Sequence, residues 1–168
     1  MLGLPRGEVF IVPWSDEWES EFEREREQIH RVLGSLVKVH HIGSTSVRNL
    51  KAKPIIDIAV EIEDFNYGEK FALPLEGLGY SYRGSNILPD RHYFNKGEPR
   101  THQIHMYQRG SQYLIQQLKF RDHLRNHEQD RKKYEKLKLQ LTQQNKRDKH
   151  QYADDKTEFV SEVLRKIL

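Results

Sequence analysis

Asp57 is the residue of this chain best placed for metal or phosphate chemistry. It lies in Pro54-Ile-Ile-Asp-Ile-Ala-Val-Glu-Ile62, where Ile56, Ile58, Val60 and Ile62 alternate with Asp57, Ala59 and Glu61. A period of two marks a strand with one apolar face and one face that carries the carboxylate. About a dozen residues earlier, Gly43-Ser-Thr-Ser46 follows His40-His-Ile42. Gly43 can take the backbone angles of a sharp turn. Ser44, Thr45 and Ser46 are all N-cap types and predict a short helix whose first amides point outward. Pro54 then ends that helix and favours an extended exit. The stretch therefore reads strand, turn, short helix, strand, a βαβ-type corner of a mixed sheet. A carboxylate on a buried strand beside a helix N-terminus suits phosphate and a divalent ion.

Other residues could serve the same corner. Lys53, just ahead of the strand, either pairs with Asp57 or binds a phosphate. Asp57 itself is a metal or substrate ligand, or a structural carboxylate bonded to a neighbouring Lys or Arg. Ser44 and Thr45 either contact phosphate or simply cap. Arg83 and Arg91 flank the proposed sheet edge, and guanidinium groups suit bidentate recognition of phosphate; as ordinary surface residues they would do nothing. In Thr101 to Tyr107 the alternation puts Gln103 and His105 on one face and Ile104 and Met106 on the other. His105 is then a ligand, a proton-transfer group or a satisfied core histidine, while His102 points to the opposite face. In Phe120-Arg-Asp-His-Leu-Arg125, Phe120 and Leu124 are one turn apart and bury. Asp122 is expected to tie helix to sheet, and Arg121 either reaches the site or joins that tie.

Several elements must position these groups. Val9 to Pro13 reads as a short strand. Ser15 and Asp16 offer caps for a helix to about Leu33, with Trp18, Phe22, Ile29 and Leu33 facing the core. The charges of Glu19 to Glu27 are spaced for i,i+4 pairing on a solvated face. Phe71, Leu75 and Leu78 predict a short helix interrupted by Pro74. Tyr80-Ser-Tyr and Arg91-His-Tyr-Phe are strand-like, and Gly97-Glu-Pro reads as a hairpin turn. From Ser111 onward the pattern is helical. Tyr113, Leu114, Leu118, Phe120 and Leu124 line one helix, Tyr134, Leu137 and Leu141 a second, and Tyr152, Phe159, Val163 and Ile167 a third. Gln140 to Lys149 reads as a loose connection. With no repeat or long linker, residues 1–168 are expected to form one domain, the helices packing on the sheet.

Composition sets the outer limits. A chain of 168 residues with 36% hydrophobic and 32% charged residues is polar but long enough for a real core. It contains no cysteine, which excludes disulfides, thiolate zinc sites and thiol catalysis. No run reaches the roughly 18 apolar residues of a membrane helix, and no signal-peptide pattern opens the chain. A soluble, cytoplasmic protein is expected. The net charge of +3 gives no support to nucleic acid as a partner. A small anion needs only a local cluster.

The motifs taken together carry a resemblance. His41-Ile-Gly-Ser-Thr-Ser-Val and Ala52-Lys-Pro-Ile-Ile-Asp-Ile resemble the GrpB family, a branch of the nucleotidyltransferase superfamily with the DNA polymerase β fold. The likeness continues through Tyr82-Arg-Gly, Arg91-His-Tyr-Phe, Gln103-Ile-His, Phe120 to Arg125, Tyr134 to Lys138 and Tyr152 to Phe159, in order over nearly the whole chain. It implies an α+β fold, a mixed sheet of nucleotidyltransferase type with an N-terminal helix and C-terminal helices packed on it. It implies a phosphate cradle at Gly43, Ser44 and Thr45, with Lys53, Arg83, Arg91 and Arg121 as further ligand contacts. Asp57 is then a Mg²⁺ or Mn²⁺ ligand and the candidate catalytic group.

The ligand implied is a nucleotide or another phosphorylated small molecule. Members resembling this chain also occur fused to dephospho-coenzyme A kinase, which points the same way. The implied activity is nucleotidyl or phosphoryl transfer; the rival reading is a non-catalytic anion-binding module. The chain departs from the superfamily pattern in two places. The second acid, expected two residues after Asp57, is Ala59; Glu61 shares the face but lies roughly 13 Å along the strand. A third acid, expected on a later strand, is replaced by Gln103 and His105. Imidazole suits Zn²⁺, Ni²⁺ or Mn²⁺ better than Mg²⁺.

Overall fold

The computed structural model describes residues 1–144 and 149–168, with side chains for all of them except 149–155. Helix α1 (Glu17–Leu33) leads into β1 (Lys38–Ile42). One 3-10 turn (Ser44–Ser46) and the loop 47–55 carry the chain to β2 (Ile56–Ile62). A 3-10 segment (Phe65–Phe71) runs into α2 (Ala72–Glu76), then β3 (Ser81–Gly84), β4 (Arg91–Lys96) and β5 (His102–Gln108). Helices α3 (Gln112–Asn126), α4 (Glu128–Gln144) and α5 (Lys149–Ile167) follow. No helix among the described residues is long and apolar enough to cross a membrane.

The strands form one mixed sheet in the order β1-β2-β5-β4-β3, so the fold is α+β as expected. Among the described strands, only β2 and β5 run parallel. This corrects the βαβ expectation. A parallel crossover needs a dozen or more residues, usually a helix. Here the chain turns back at Gly43, and β1 pairs antiparallel with β2, Ile42 opposite Asp57.

Alternation along the strands decides which face does what. Ile56, Ile58, Val60 and Ile62 of β2 join Ile104 and Met106 of β5 and Phe94 of β4 on one face. Trp18, Phe22 and Ile29 of α1 cover that face, with Leu75 and Tyr80. Ile56, Ile58, Ile104 and Met106 are fully buried. Each contributes about 1.5–3 kcal/mol by leaving water. The other face carries Asp57, Ala59 and Glu61 beside Gln103, His105 and Tyr107. There Leu114 of α3 packs on Ile42, Ala59 and Tyr107. Helices α4 and α5 pack on α3 and on each other. Val47 and Leu50 of the loop bury against Leu124 and Tyr134.

Several local expectations change. Val9 to Pro13 forms no strand; only Val12 bridges to Ala52. Asp16 is the N-cap of α1 but makes no side-chain cap bond, and Ser15 Oγ accepts from the Glu17 amide instead. The 3-10 turn ends at Ser46, well before Pro54, because Val47 is already extended. Tyr113 is exposed, since α3 buries Leu114 and Leu124. Gln140–Gln144 continue α4. The rest of that expected loose connection, 145–148, and the Tyr152 side chain lie outside the described residues.

Candidate functional site

The turn after β1 is held from within. Gly43 has φ +74°, where a side chain is strained. Its α-carbon also faces the Asp57 carboxylate, since a Cβ there would meet Oδ2 at 2.7 Å. The expected serine and threonine caps are absent: Gly43 is the N-cap residue of the turn and no side chain bonds across it as a cap. Ser46 donates its hydroxyl to the Gly43 carbonyl. Thr45 is buried, bonded to His41 Nε2 at 3.0 Å and donating to the Ile55 carbonyl at 3.2 Å. Ser44 lines the cavity below, and its hydroxyl makes no hydrogen bond among the described residues.

That cavity, about 320 Å³, opens between the second sheet face and the C-terminal helices. Gly43, Ser44, Thr45, Lys53, Asp57, Arg91, His105 and Arg121 all line it. Arg83 does not. It bonds Asn95 at 3.0 Å and faces a separate small pocket with Leu4, Gly97 and Arg100.

Asp57 pairs with His105 rather than with a Lys or Arg among the described residues, Oδ1 lying 3.4 Å from Nε2. His105 Nδ1 lies 3.5 Å from Arg91 Nη1. A guanidinium only donates, so neutral His105 accepts at Nδ1 and turns its Nε2–H to Asp57. Arg91 in turn lies over the Tyr107 ring, 5.0 Å from its centroid. Among the described residues the buried Tyr107 hydroxyl finds no hydrogen-bond partner, and burial pushes its pKa up to about 12. Gln103 accepts from the Tyr93 hydroxyl at 2.5 Å.

The carboxylate pair of a two-ion centre does not fit here. Ala59 pairs with His105 in the parallel register and is fully buried among Ile42, Tyr107 and Leu114. Glu61 is bound to His40 at 3.0 Å. Asp57 alone could hold one ion jointly with the oxygens of a ligand. Among the described residues, the one group of three side chains with metal-ligand atoms close together is Glu21, Glu25 and His102, on the opposite sheet face. That group is already satisfied. Glu25 accepts from Tyr80 at 2.7 Å and Lys96 at 2.5 Å, and Glu21 bonds Arg24 and His102. The acidic stretch of α1 is therefore not merely a solvated face.

Helix α3 braces the turn from outside. Arg121 donates to the His41 carbonyl at 3.1 Å and pairs with Asp122, and Arg125 donates to the Ser46 carbonyl at 2.9 Å. The tie between helix and sheet thus belongs to Arg121 rather than Asp122.

Sequence reasoning missed Lys138 and Lys156, which line the same cavity from α4 and α5. Lys138 is 2% exposed. Its position was legible, because Tyr134, Lys138 and Leu141 follow helical spacing on the buried stripe of α4. The cavity thereby collects five basic side chains, Lys53, Arg91, Arg121, Lys138 and Lys156, and one carboxylate, Asp57, among the described residues.

Comparison with known proteins follows the same outline. The UPF0157 protein YqkA of Bacillus subtilis is 37% identical over 158 residues, 93% of this chain. The chain spans 46% of YqkA's length. The crystal structure of the conserved protein GrpB from Enterococcus faecalis superposes with a TM-score of 0.85 at 35% identity, covering 94% of this chain and 98% of that one. A remoter likeness, to the Cid1 poly(U) polymerase in its MgGTP-bound crystal structure, has a TM-score of 0.47 at 13% identity. It covers 79% of this chain and 46% of that one, and it has no bearing on the site. The model of the GrpB protein family matches residues 8–166, and this chain belongs to that family.

Proposed function

We propose that the cavity binds a phosphorylated small molecule, with nucleotides as the first class to test. The observation that supports this is the charge of its lining, five basic groups around one carboxylate. In a partly closed site such charges act through a lower dielectric than bulk water and favour an anion strongly. Lys53 and Arg91 share that lining with Asp57, and Ser44 offers a hydroxyl. Calorimetric titration with ATP, CTP, GTP and coenzyme A tests the reading. Saturable binding that weakens in Lys53→Ala is the expected result. No heat with any of the four, or affinity unchanged in Lys53→Ala, would refute the pocket.

A transferase reading rests on Asp57, whose carboxylate faces both Gly43 and the cavity. Metal-dependent turnover of a nucleoside triphosphate is its test. The buried Ala59 favours binding without turnover, because it removes the second carboxylate that a two-ion transfer uses.

A further inference from the structure

We infer that Gln103 is a ligand-binding residue that donates its side-chain N–H groups to a phosphate oxygen beside Asp57, and that Arg83, outside the cavity, positions it through Asn95 and Tyr93. The inference rests on the phosphorylated-ligand reading and adds to it a contact and the residues that orient that contact.

Strand register places the groups. Asp57, Gln103 and Asn95 stand in one row across β2, β5 and β4, on the second sheet face. Tyr93 lies two residues before Asn95 on the same face of β4 and pairs with His105. Arg83 reaches the row from β3, where the pairing with β4 shifts between Tyr82 and Gly84. Tyr93 and Asn95 are both more than nine-tenths buried, so their polar atoms must be met from within the protein.

The hydrogen bonds along this row have one sense. A guanidinium has donors and no acceptor, so Arg83 Nε gives its hydrogen to Asn95 Oδ1, 3.0 Å away. Asn95 then has its N–H groups for the Tyr93 hydroxyl, to which it is bonded. Burial, the largest influence, holds the Tyr93 pKa above its ordinary value, so the phenol keeps a proton to give. Arg100 and the Asn95 bond pull the other way, the latter as an N–H donated to that oxygen does. Tyr93 gives its own hydrogen to Gln103 Oε1 at 2.5 Å. With that oxygen engaged, Gln103 has two N–H donors left, and no described residue accepts from them. Gln103 lines the cavity and is the register partner of Asp57, about one strand spacing of 4.8 Å away. Asp57 accepts and Gln103 donates. An amide N–H serves an unprotonated phosphate oxygen, where a carboxylate in its place would serve a metal ion.

The test titrates the full chain with ATP in the absence of metal, and separately with Mg²⁺ alone. Gln103→Met should weaken ATP binding roughly tenfold to a hundredfold, the cost of losing one hydrogen bond to a charged group. Gln103→Glu keeps the acceptor that Tyr93 needs, so it decides if Gln103→Met does not fold. It should weaken ATP at least as much and bind Mg²⁺ more tightly than the wild type, because a second carboxylate then stands beside Asp57. Arg83→Met should give the Gln103 NH₂ group two sets of NMR signals where the wild type gives one, since Asn95 is then free to turn over and the row to reverse. With both senses equally populated, ATP affinity should fall about twofold. Arg83→Lys should restore the single set, because an ammonium also only donates. Wild-type ATP affinity in both Gln103 variants, or unchanged Mg²⁺ affinity in Gln103→Glu, overturns the donor and leaves the phosphorylated-ligand reading standing. One set of signals in Arg83→Met, or two in Arg83→Lys, overturns the role of Arg83. If no nucleotide binds the wild type, the phosphorylated-ligand reading falls and the phosphate contact with it. Tighter Mg²⁺ binding in Gln103→Glu and split signals in Arg83→Met would then still uphold the oriented donor, and their absence would overturn it.

Discussion

The carboxylate of Asp57 lies against the α-carbon of Gly43, across the antiparallel pair formed by Ile42 and Asp57. Position 43 therefore has two reasons to lack a side chain, its φ of +74° and the 2.7 Å approach that a Cβ would make to Oδ2. Gly43→Ala is expected to cost about 1–3 kcal/mol of stability. It should also push Asp57 away from the turn and weaken nucleotide binding beyond what the stability loss explains. Urea denaturation and ATP titration of the variant check both. An unchanged midpoint would show that the turn relaxes freely.

Ala59→Asp looks from the sequence like the repair of a metal pair, and the structure predicts the opposite. Ala59 is fully buried among Ile42, Tyr107 and Leu114. A carboxylate there has apolar neighbours on the α3 side and the imidazole of His105 alongside. Burying it should destabilise the protein by about 2–3 kcal/mol, and Mg²⁺ affinity should not improve. Thermal unfolding with and without Mg²⁺ decides the matter. A variant of wild-type stability that binds Mg²⁺ more tightly would show that the aspartate reaches the cavity.

The contrast between these positions shows what the sequence could tell. The strand of Asp57 was legible because alternation is local, and the turn at Gly43 because glycine followed by three hydroxyl residues is a local signal. Whether β2 runs parallel or antiparallel to β1 depends on how the chain reverses, which alternation does not encode. The depth of Ala59 depends on Leu114, which lies far along the chain and arrives with α3. The place of Lys138 on the apolar stripe of α4 was legible, but its burial was not, for a different reason. A lysine on an apolar stripe normally reaches out to water along its flexible stem, and only α5 and the 47–55 loop, packed around α4, prevent that. Glu25 is the same case on α1, at the spacing of Trp18, Phe22 and Ile29, and buried because Tyr80 and Lys96 meet it.

Mg²⁺ is expected to bind only together with a nucleotide. Asp57 is the one carboxylate in the cavity lining among the described residues, and Mg²⁺ gives up its water shell reluctantly. Phosphate oxygens must supply the remaining ligands. Asp57→Asn should weaken Mg²⁺-dependent nucleotide affinity and leave metal-free affinity equal or stronger. A borderline ion such as Zn²⁺ meets another obstacle. Arg91 faces His105 Nδ1, which leaves the proton on Nε2, the nitrogen nearest Asp57. Arg91→Met should free Nδ1 to carry the proton, so that Zn²⁺ binds more tightly than to the wild type. Metal titrations of the three proteins, with and without ATP, check these outcomes. Tight Mg²⁺ binding to the free wild type that survives Asp57→Asn would place the metal elsewhere.

Acid should destabilise the protein through His41, beneath the same turn. The ring stacks on Phe22 with centroids 4.7 Å apart, and Nε2 meets the Thr45 hydroxyl. Burial, the largest influence, holds its pKa down at about 4, with Asp57 pulling the other way and Arg125 and Arg121 reinforcing the drop. The unfolded chain protonates His41 near pH 6.5. Above that value neither state carries the proton and the histidine costs nothing. Between about 6.5 and 4 the unfolded state takes the proton and the folded state does not, so stability falls with falling pH. At pH 5 the loss relative to pH 7 should be about 2 kcal/mol. His102, also held low chiefly by burial, adds a slope of the same sign. His41→Gln should therefore flatten part of the pH dependence while lowering stability at pH 7, where the stacking contact is lost. Urea denaturation of both proteins at pH 7 and pH 5 measures the difference, and equal slopes would show that His41 becomes charged in the folded protein.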